Sequence, residues 1–187
     1  MRIVLASASP RRKELLGLLG LEFEIIVSDV EEKVTERSPG RVVEELSLQK
    51  AENVFQRLEG DVLVIGADTV VSLDDCILGK PKNEEEALEM LEKLQGNEHK
   101  VFTGVTLIGR KDGEEFCKTF SEGTVVKFYP MTEEEIQWYV ESQEPMDKAG
   151  AYGIQGLGAR FVECIQGDYN NVVGLPIARL YQEMKSL

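Results

Sequence analysis

Hydrophobic positions along the chain alternate between two spacings, short continuous runs and a stripe recurring every three to four residues. Ile3-Val4-Leu5-Ala6 is a run of the first kind and predicts a buried strand. Leu15, Leu16, Leu18 and Leu19 follow at helical spacing, behind Ser9 as N-cap and Pro10 as first helical residue. Residues 23–27 predict a second strand, a polar loop runs through Pro39, and 41–58 predict an amphipathic helix. Val62-Leu63-Val64-Ile65 is another buried strand, leading into Gly66-Ala67-Asp68-Thr69. Leu73-Asp74-Asp75-Cys76 suggests a hairpin tip. Asn83, with Glu86 at the capping-box position, starts a helix that reaches Leu94.

Residues 100–109 and 123–129 predict two paired strands joined across Lys111-Asp112-Gly113. Thr132 and Glu135 form a second capping box, and a last helix follows Pro176. Strands and helices in alternation, without a linker or a repeat, place the chain in the α/β class.

The 187 residues, 42% hydrophobic and 29% charged, suit one globular domain or two lobes sharing a core. Lys and Arg number 21 against 34 Asp and Glu, for a net charge of −13. Such a surface repels a nucleic-acid backbone but is compatible with a small phosphorylated ligand held by a local cationic cluster. Cys76, Cys117 and Cys164 are odd in number and widely spaced, which predicts neither a disulfide framework nor a zinc knuckle and favours a reducing compartment. With no leader pattern and no apolar run of membrane-spanning length, the expectation is a cytoplasmic protein that binds no membrane.

Local chemistry sharpens this picture. In Ser7-Ala8-Ser9-Pro10-Arg11-Arg12-Lys13, two arginines sit at a helix start, where the dipole normally favours carboxylates. An anionic ligand would relieve that cost, so the segment reads as a phosphate cradle, or else as arginines paired with nearby carboxylates. Asp68, at the exit of an apolar strand, is costly unless hydrogen bonded, metal bound or at an opening. Taken alone, Glu32 reads as part of a solvated loop, Lys50 as a helix-surface lysine and Lys80 as a loop residue. Lys148 to Gly158 holds four glycines in neither a P-loop nor a dinucleotide spacing, and by itself reads as a tight connection. His99 is the single histidine and reads as an ordinary surface or strand-start residue.

Taken together and in order, Ser-Ala-Ser-Pro-Arg-Arg, Gly-Ala-Asp-Thr, Gly-Lys-Pro, Thr103-Gly104-Val105, the Asp147 to Gly158 loop and Val173-Gly174-Leu175-Pro176 resemble the Maf family of nucleoside triphosphate pyrophosphatases over nearly the whole chain. The resemblance implies a single domain over 1–187 in the Maf/ITPase-like manner: a mixed, elongated central sheet flanked by helices, in two lobes with a nucleotide cleft between them, commonly as a homodimer. It also implies hydrolysis of a nucleoside triphosphate to monophosphate and pyrophosphate with a divalent cation, Mg²⁺ or Mn²⁺. On this resemblance Asp68 and Glu32 are the catalytic and metal-holding carboxylates, with interchangeable roles. Lys50 and Lys80 are site lysines, and Ser7, Arg11 and Arg12 bind phosphate.

Within the family, arginine, threonine and glutamine at the positions of Arg11, Thr69 and Gln155 mark the subgroup acting on dTTP and UTP. Tryptophan, glutamine and glutamate mark a subgroup associated with 7-methyl-GTP. Gln155 and Thr69 can offer both donor and acceptor to a pyrimidine edge, which 5-methyl-UTP and pseudouridine triphosphate share and which suggests house-cleaning. Tyr129-Pro130 stands where the family often carries an arginine. The competing reading is a nucleotide-binding regulator, since the family is linked to inhibition of septum formation.

Overall fold

A computed structural model describes every residue of the chain except Asp75, so the tip suggested at residues 73–76 falls partly outside the described residues. In chain order the elements are β1 (Arg2–Leu5), α1 (Pro10–Gly17), β2 (Glu24–Ile25), α2 (Pro39–Phe55), β3 (Val62–Leu73), β4 (Cys76–Leu78), α3 (Glu84–Leu94), β5 (Glu98–Lys111), β6 (Glu114–Phe128), α4 (Glu133–Glu141), β7 (Val162–Gln166), α5 (Tyr169–Val173) and α6 (Ile177–Met184). The seven strands form one sheet in the order β2-β1-β3-β5-β6-β7, with β4 on the far end of β3. β1 pairs in parallel with β2 and β3, and the remaining pairs are antiparallel. The mixed α/β sheet expected from the sequence is therefore present.

Predicted and observed elements differ where one face of a strand meets solvent. The strand expected over 23–27 is only two residues long, and Ile25 and Val27 are exposed at this sheet edge. β6 begins at Glu114 rather than at residue 123, because charged and polar positions alternate with Phe116 and Phe120 along its half-solvated outer stretch. β7 and α5 carry too little apolar periodicity to be seen in sequence. Thr132 and Glu135 do close a reciprocal capping box. At α3 the Asn83 side chain caps the Glu86 N–H, but the Glu86 carboxylate accepts from Lys82 N–H (2.7 Å), one residue before the position a capping box requires.

Strand pleating sends β3 side chains alternately to two faces. Val62 and Val64 pack with Ala51, Val54 and Phe55 of α2. Leu63, Ile65 and Ala67 pack with Leu15 and Leu16 of α1 and Leu180 of α6. Farther along the same sheet, Val71 and Val101 join a separate core built on α3, α4 and the short 3₁₀ turns that follow α4.

What opens the site is a discontinuity in β3's pairing. β1 runs out opposite Ile65, and β4 starts only opposite Val71. Between those points β3 stays paired with β5 but, among the described residues, has no strand on its other side.

Candidate active site

That gap is where the chain gathers its charged side chains. A cleft of about 480 Å³ is lined by Ser9, Arg11, Arg12, Glu32, Lys50, Asp68, Thr69, Lys80, Asp147, Lys148 and Gln155, among others. The volume suits a nucleotide-sized ligand. Asp68 lies in the middle of β3 rather than at the strand's exit, as the sequence suggested. It is nevertheless at the carboxyl end of the parallel segment, because its neighbour β1 has already stopped.

Asp68 shares the α2 face of the sheet, and α2 crosses that face unusually closely. A Cβ on Gly66 would overlap the Ser47 carbonyl, and one on Gly104, directly opposite Asp68, would overlap the Val43 carbonyl. Glycine at both positions lets the helix backbone rest on the strands. The next turn then delivers Lys50 to Asp68. The Lys50 ammonium is paired with the Asp68 carboxylate and also with Glu32 Oε1 (3.0 Å). Lys50 and Asp68 are 17% and 14% exposed, whereas Glu32 is 47% exposed, so one cation ties a sheltered carboxylate to an open one. Removing the cation would leave two carboxylates facing each other with little solvent around Asp68.

The start of α1 is built as its sequence suggests, with Ser9 Oγ accepting from Arg12 N–H (3.4 Å). Its two arginines have different surroundings. Arg12 Nε donates to Gly174 O (2.9 Å), Nη1 to Ala67 O (2.9 Å) and Ser7 Oγ (3.3 Å), and Nη2 to Thr69 Oγ1 (3.0 Å). Four of its five N–H groups thus bind protein, and burial pushes its pKa below the ordinary arginine value. Among the described residues the Arg11 guanidinium pairs with Asp147 alone, at 3.5 Å and partly exposed, which leaves most of its N–H groups for a ligand. Ser7 is buried and accepts from Ser9 N–H (3.3 Å) as well as from Arg12.

Lys80 and Gln155 are exposed in the cleft wall, and neither side chain hydrogen bonds to a described residue. Thr69 is tied to Arg12 and to Thr103 Oγ1 (2.9 Å). All the residues expected from sequence therefore meet around one opening, with Ser7 packed just behind its wall.

Other contributors had no role assigned from the sequence. Glu144 takes hydrogen bonds from Tyr139 Oη (2.9 Å), Leu157 N–H (2.9 Å) and Gly158 N–H (3.0 Å), and so pins the segment that carries Gln155. Partial burial pushes the Glu144 pKa up, but these donors and Lys148 outweigh it and hold the carboxyl below its ordinary value. Lys148 Nζ donates to Asp147 Oδ1 (2.6 Å) beside Arg11. Asn171, on α5, donates to Val101 O (3.0 Å) and Thr124 Oγ1 (2.9 Å) from a fully buried position. Only tertiary contact reveals these roles.

His99 is buried rather than exposed, although it does lie at a strand start. Its Nε2 is 2.7 Å from Tyr152 Oη, and its ring meets Phe128 and Tyr152 edge to face. It does not line the cleft.

The fold and the opening together define a class: a mixed α/β protein whose sheet is interrupted alongside its inner strand β3 by a cleft lined with carboxylates and cations. The chain belongs to the family described as Maf-like protein, which it matches over residues 2–187. It is 55% identical over 185 residues to a protein of Bacillus cereus (strain G9842) named dTTP/UTP pyrophosphatase, covering 98% of this chain and 94% of that one. The same identity and coverage relate it to a dTTP/UTP pyrophosphatase of Bacillus thuringiensis subsp. konkukian (strain 97-27). Among solved structures, the Staphylococcus aureus Ham1 protein aligns with a TM-score of 0.46 at 18% identity, over 87% of this chain and 80% of that chain.

Proposed function

We propose that the protein is a nucleoside triphosphate pyrophosphatase that hydrolyses dTTP and UTP to the monophosphate and pyrophosphate. The names of relatives 55% identical over 98% of the chain support the substrate class. The observation that carries the chemistry is the Glu32–Lys50–Asp68 arrangement on the cleft floor. In this reading a water attacks the α-phosphorus as the bond to the pyrophosphate oxygen breaks. Asp68, the more sheltered carboxylate, accepts the water's proton, and Glu32 orients the water. Lys50, Lys80 and Arg11 offset charge on the phosphoryl oxygens, while Ser7 and Arg12 fix the geometry of the α1 start. Thr69 and Gln155 read the base.

The donor set fits a hard divalent cation. Among the described residues no group of three or more His, Cys, Asp or Glu could form a cage of its own. Two carboxylates at a phosphate site match the way Mg²⁺ is held, through one or two carboxylates plus substrate oxygens. Asp68 and Glu32 would hold it, and when bound it would supply further neutralisation of the triphosphate.

Product analysis with Mg²⁺ across dTTP, UTP, CTP, GTP, ATP and 7-methyl-GTP tests the reading. Monophosphate and pyrophosphate from dTTP and UTP are expected, with a loss of about a hundredfold or more in Asp68→Asn. Orthophosphate as product would place the attack at the terminal phosphate and overturn the mechanism. Binding without turnover would leave a nucleotide-dependent regulator.

A further inference from the structure

The partners around Thr69 assign its hydrogen-bond directions even though hydroxyl hydrogens are mobile. Thr103, buried on β5, is 3.0 Å from Asn171 O. That carbonyl also accepts from Gly174 N–H (3.1 Å) and can only accept, so two bare oxygens would face each other at 3.0 Å unless Thr103 gives it its one hydroxyl hydrogen, and we assign the hydrogen there. The 2.9 Å contact between Thr69 Oγ1 and Thr103 Oγ1 must then use the hydrogen of Thr69. Arg12 Nη2, which can only donate, occupies one lone pair of Thr69 Oγ1 at 3.0 Å. Thr69 is left with one lone pair and no hydrogen to offer. Thr69 lines the cleft, so that lone pair is the group it has left for a ligand there.

Asn171 O is itself held still. The side-chain amide of Asn171 donates to Val101 O and to Thr124 Oγ1, and Thr124 donates to Asp168 O (3.0 Å). The Thr103 and Thr124 hydroxyls thus each donate to a backbone carbonyl, and the Asn171 side chain fixes the position of the carbonyl that Thr103 meets.

We propose that Thr103 is a specificity-positioning residue: by accepting the Thr69 hydrogen it makes Thr69 an acceptor only, so that the cleft selects a base edge that donates at ring position 3. The inference rests on the reading of the site as a pyrimidine triphosphate hydrolase in which Thr69 faces the base. Uracil and thymine carry N3–H and satisfy the lone pair. Cytosine carries an unprotonated N3, and two acceptors face each other across the contact. Discrimination then comes from an unmatched buried polar group rather than from size, since uracil and cytosine differ little in volume.

The test measures kcat and KM for UTP, CTP and 3-methyl-UTP with the wild-type protein, Thr103→Val and Thr103→Ser. For the wild type, blocking N3–H in 3-methyl-UTP is expected to lower kcat/KM by about tenfold or more relative to UTP. Thr103→Val frees the Thr69 hydrogen, and the UTP to CTP ratio of kcat/KM is expected to fall by about tenfold. Thr103→Ser, which keeps the acceptor, should restore the wild-type ratio. A merely structural role for Thr103 would lower both substrates together and leave that ratio unchanged, and this result overturns the proposal. Equal turnover of 3-methyl-UTP and UTP by the wild type overturns it as well, without reliance on any variant. Failure of the wild type to hydrolyse UTP at all would instead refute the underlying functional reading.

Discussion

At the residue scale, His99 shows how packing fixes a protonation state. Burial pushes its pKa down to about 4 from 6.5, and Nδ1 has no hydrogen-bond partner among the described residues. The imidazole is folded in its neutral form between Phe128 and Tyr152. Because the unfolded chain binds a proton at this residue that the folded chain does not, stability falls as pH drops below 6.5 and continues to fall towards 4. Between pH 7.5 and 5.5 this amounts to about 1.4 kcal/mol. Urea unfolding at the two pH values should show that loss for the wild type, and His99→Gln should remove most of it. An unchanged difference in the variant would assign the pH dependence to other groups. The sequence did not reveal this histidine's burial, because one polar residue near a strand start has no periodicity of its own. Asp68 was legible for the opposite reason, since a carboxylate flanked by a long apolar run calls for a compensating partner.

At the element scale, α2 and the strands beneath it were readable from amphipathic spacing, but their separation was not. Gly66 and Gly104 in a sequence look like strand interruptions. In the fold they are the places where a helix backbone touches a sheet, and this contact sets the position of Lys50 beside Asp68. Gly104→Ala would push Val43 and the start of α2 outward. Overpacking of this kind costs about 1–3 kcal/mol. A lowered urea midpoint accompanied by a fall in kcat is the expected outcome. A variant with native activity would mean that the helix can shift without moving Lys50. The strands that escaped sequence reading, the outer half of β6 and all of β7, are those whose polar faces meet water, where hydrophobic alternation is diluted.

At the scale of the whole molecule, the cleft passes beside β3, bordered by α2 with Lys50 on one face of the sheet and on the other by two apolar cores, one holding Val173 and the other Tyr152. Val173, Gly174, Gly153 and Gln155 all line it, so a ligand there contacts chain from both sides. A UTP analogue with a methylene group between the α- and β-phosphorus, present at a hundred times its dissociation constant, should stabilise the fold by about 2.7 kcal/mol. Amide exchange should slow in residues 149–158 and 172–174 together. Protection confined to one of those segments would show that the two cores respond separately. The class of fold and the membership of the cleft were both legible because they depend on local pattern and on motif order. The bond directions behind the cleft were not, since Thr69, Thr103 and Asn171 are far apart in sequence and meet only through the sheet.

The interruption in β3's pairing also bears on how copies of the chain behave toward one another. A bare stretch of strand edge offers backbone donors and acceptors to any extended segment that drifts past, and so invites unwanted sheet growth. Here Arg12 occupies the Ala67 carbonyl that such a segment would need. The same guanidinium that shapes the mouth of the site thus takes up one of the backbone acceptors through which another chain would have to add, leaving the strand open to a ligand with fewer sites for a neighbour.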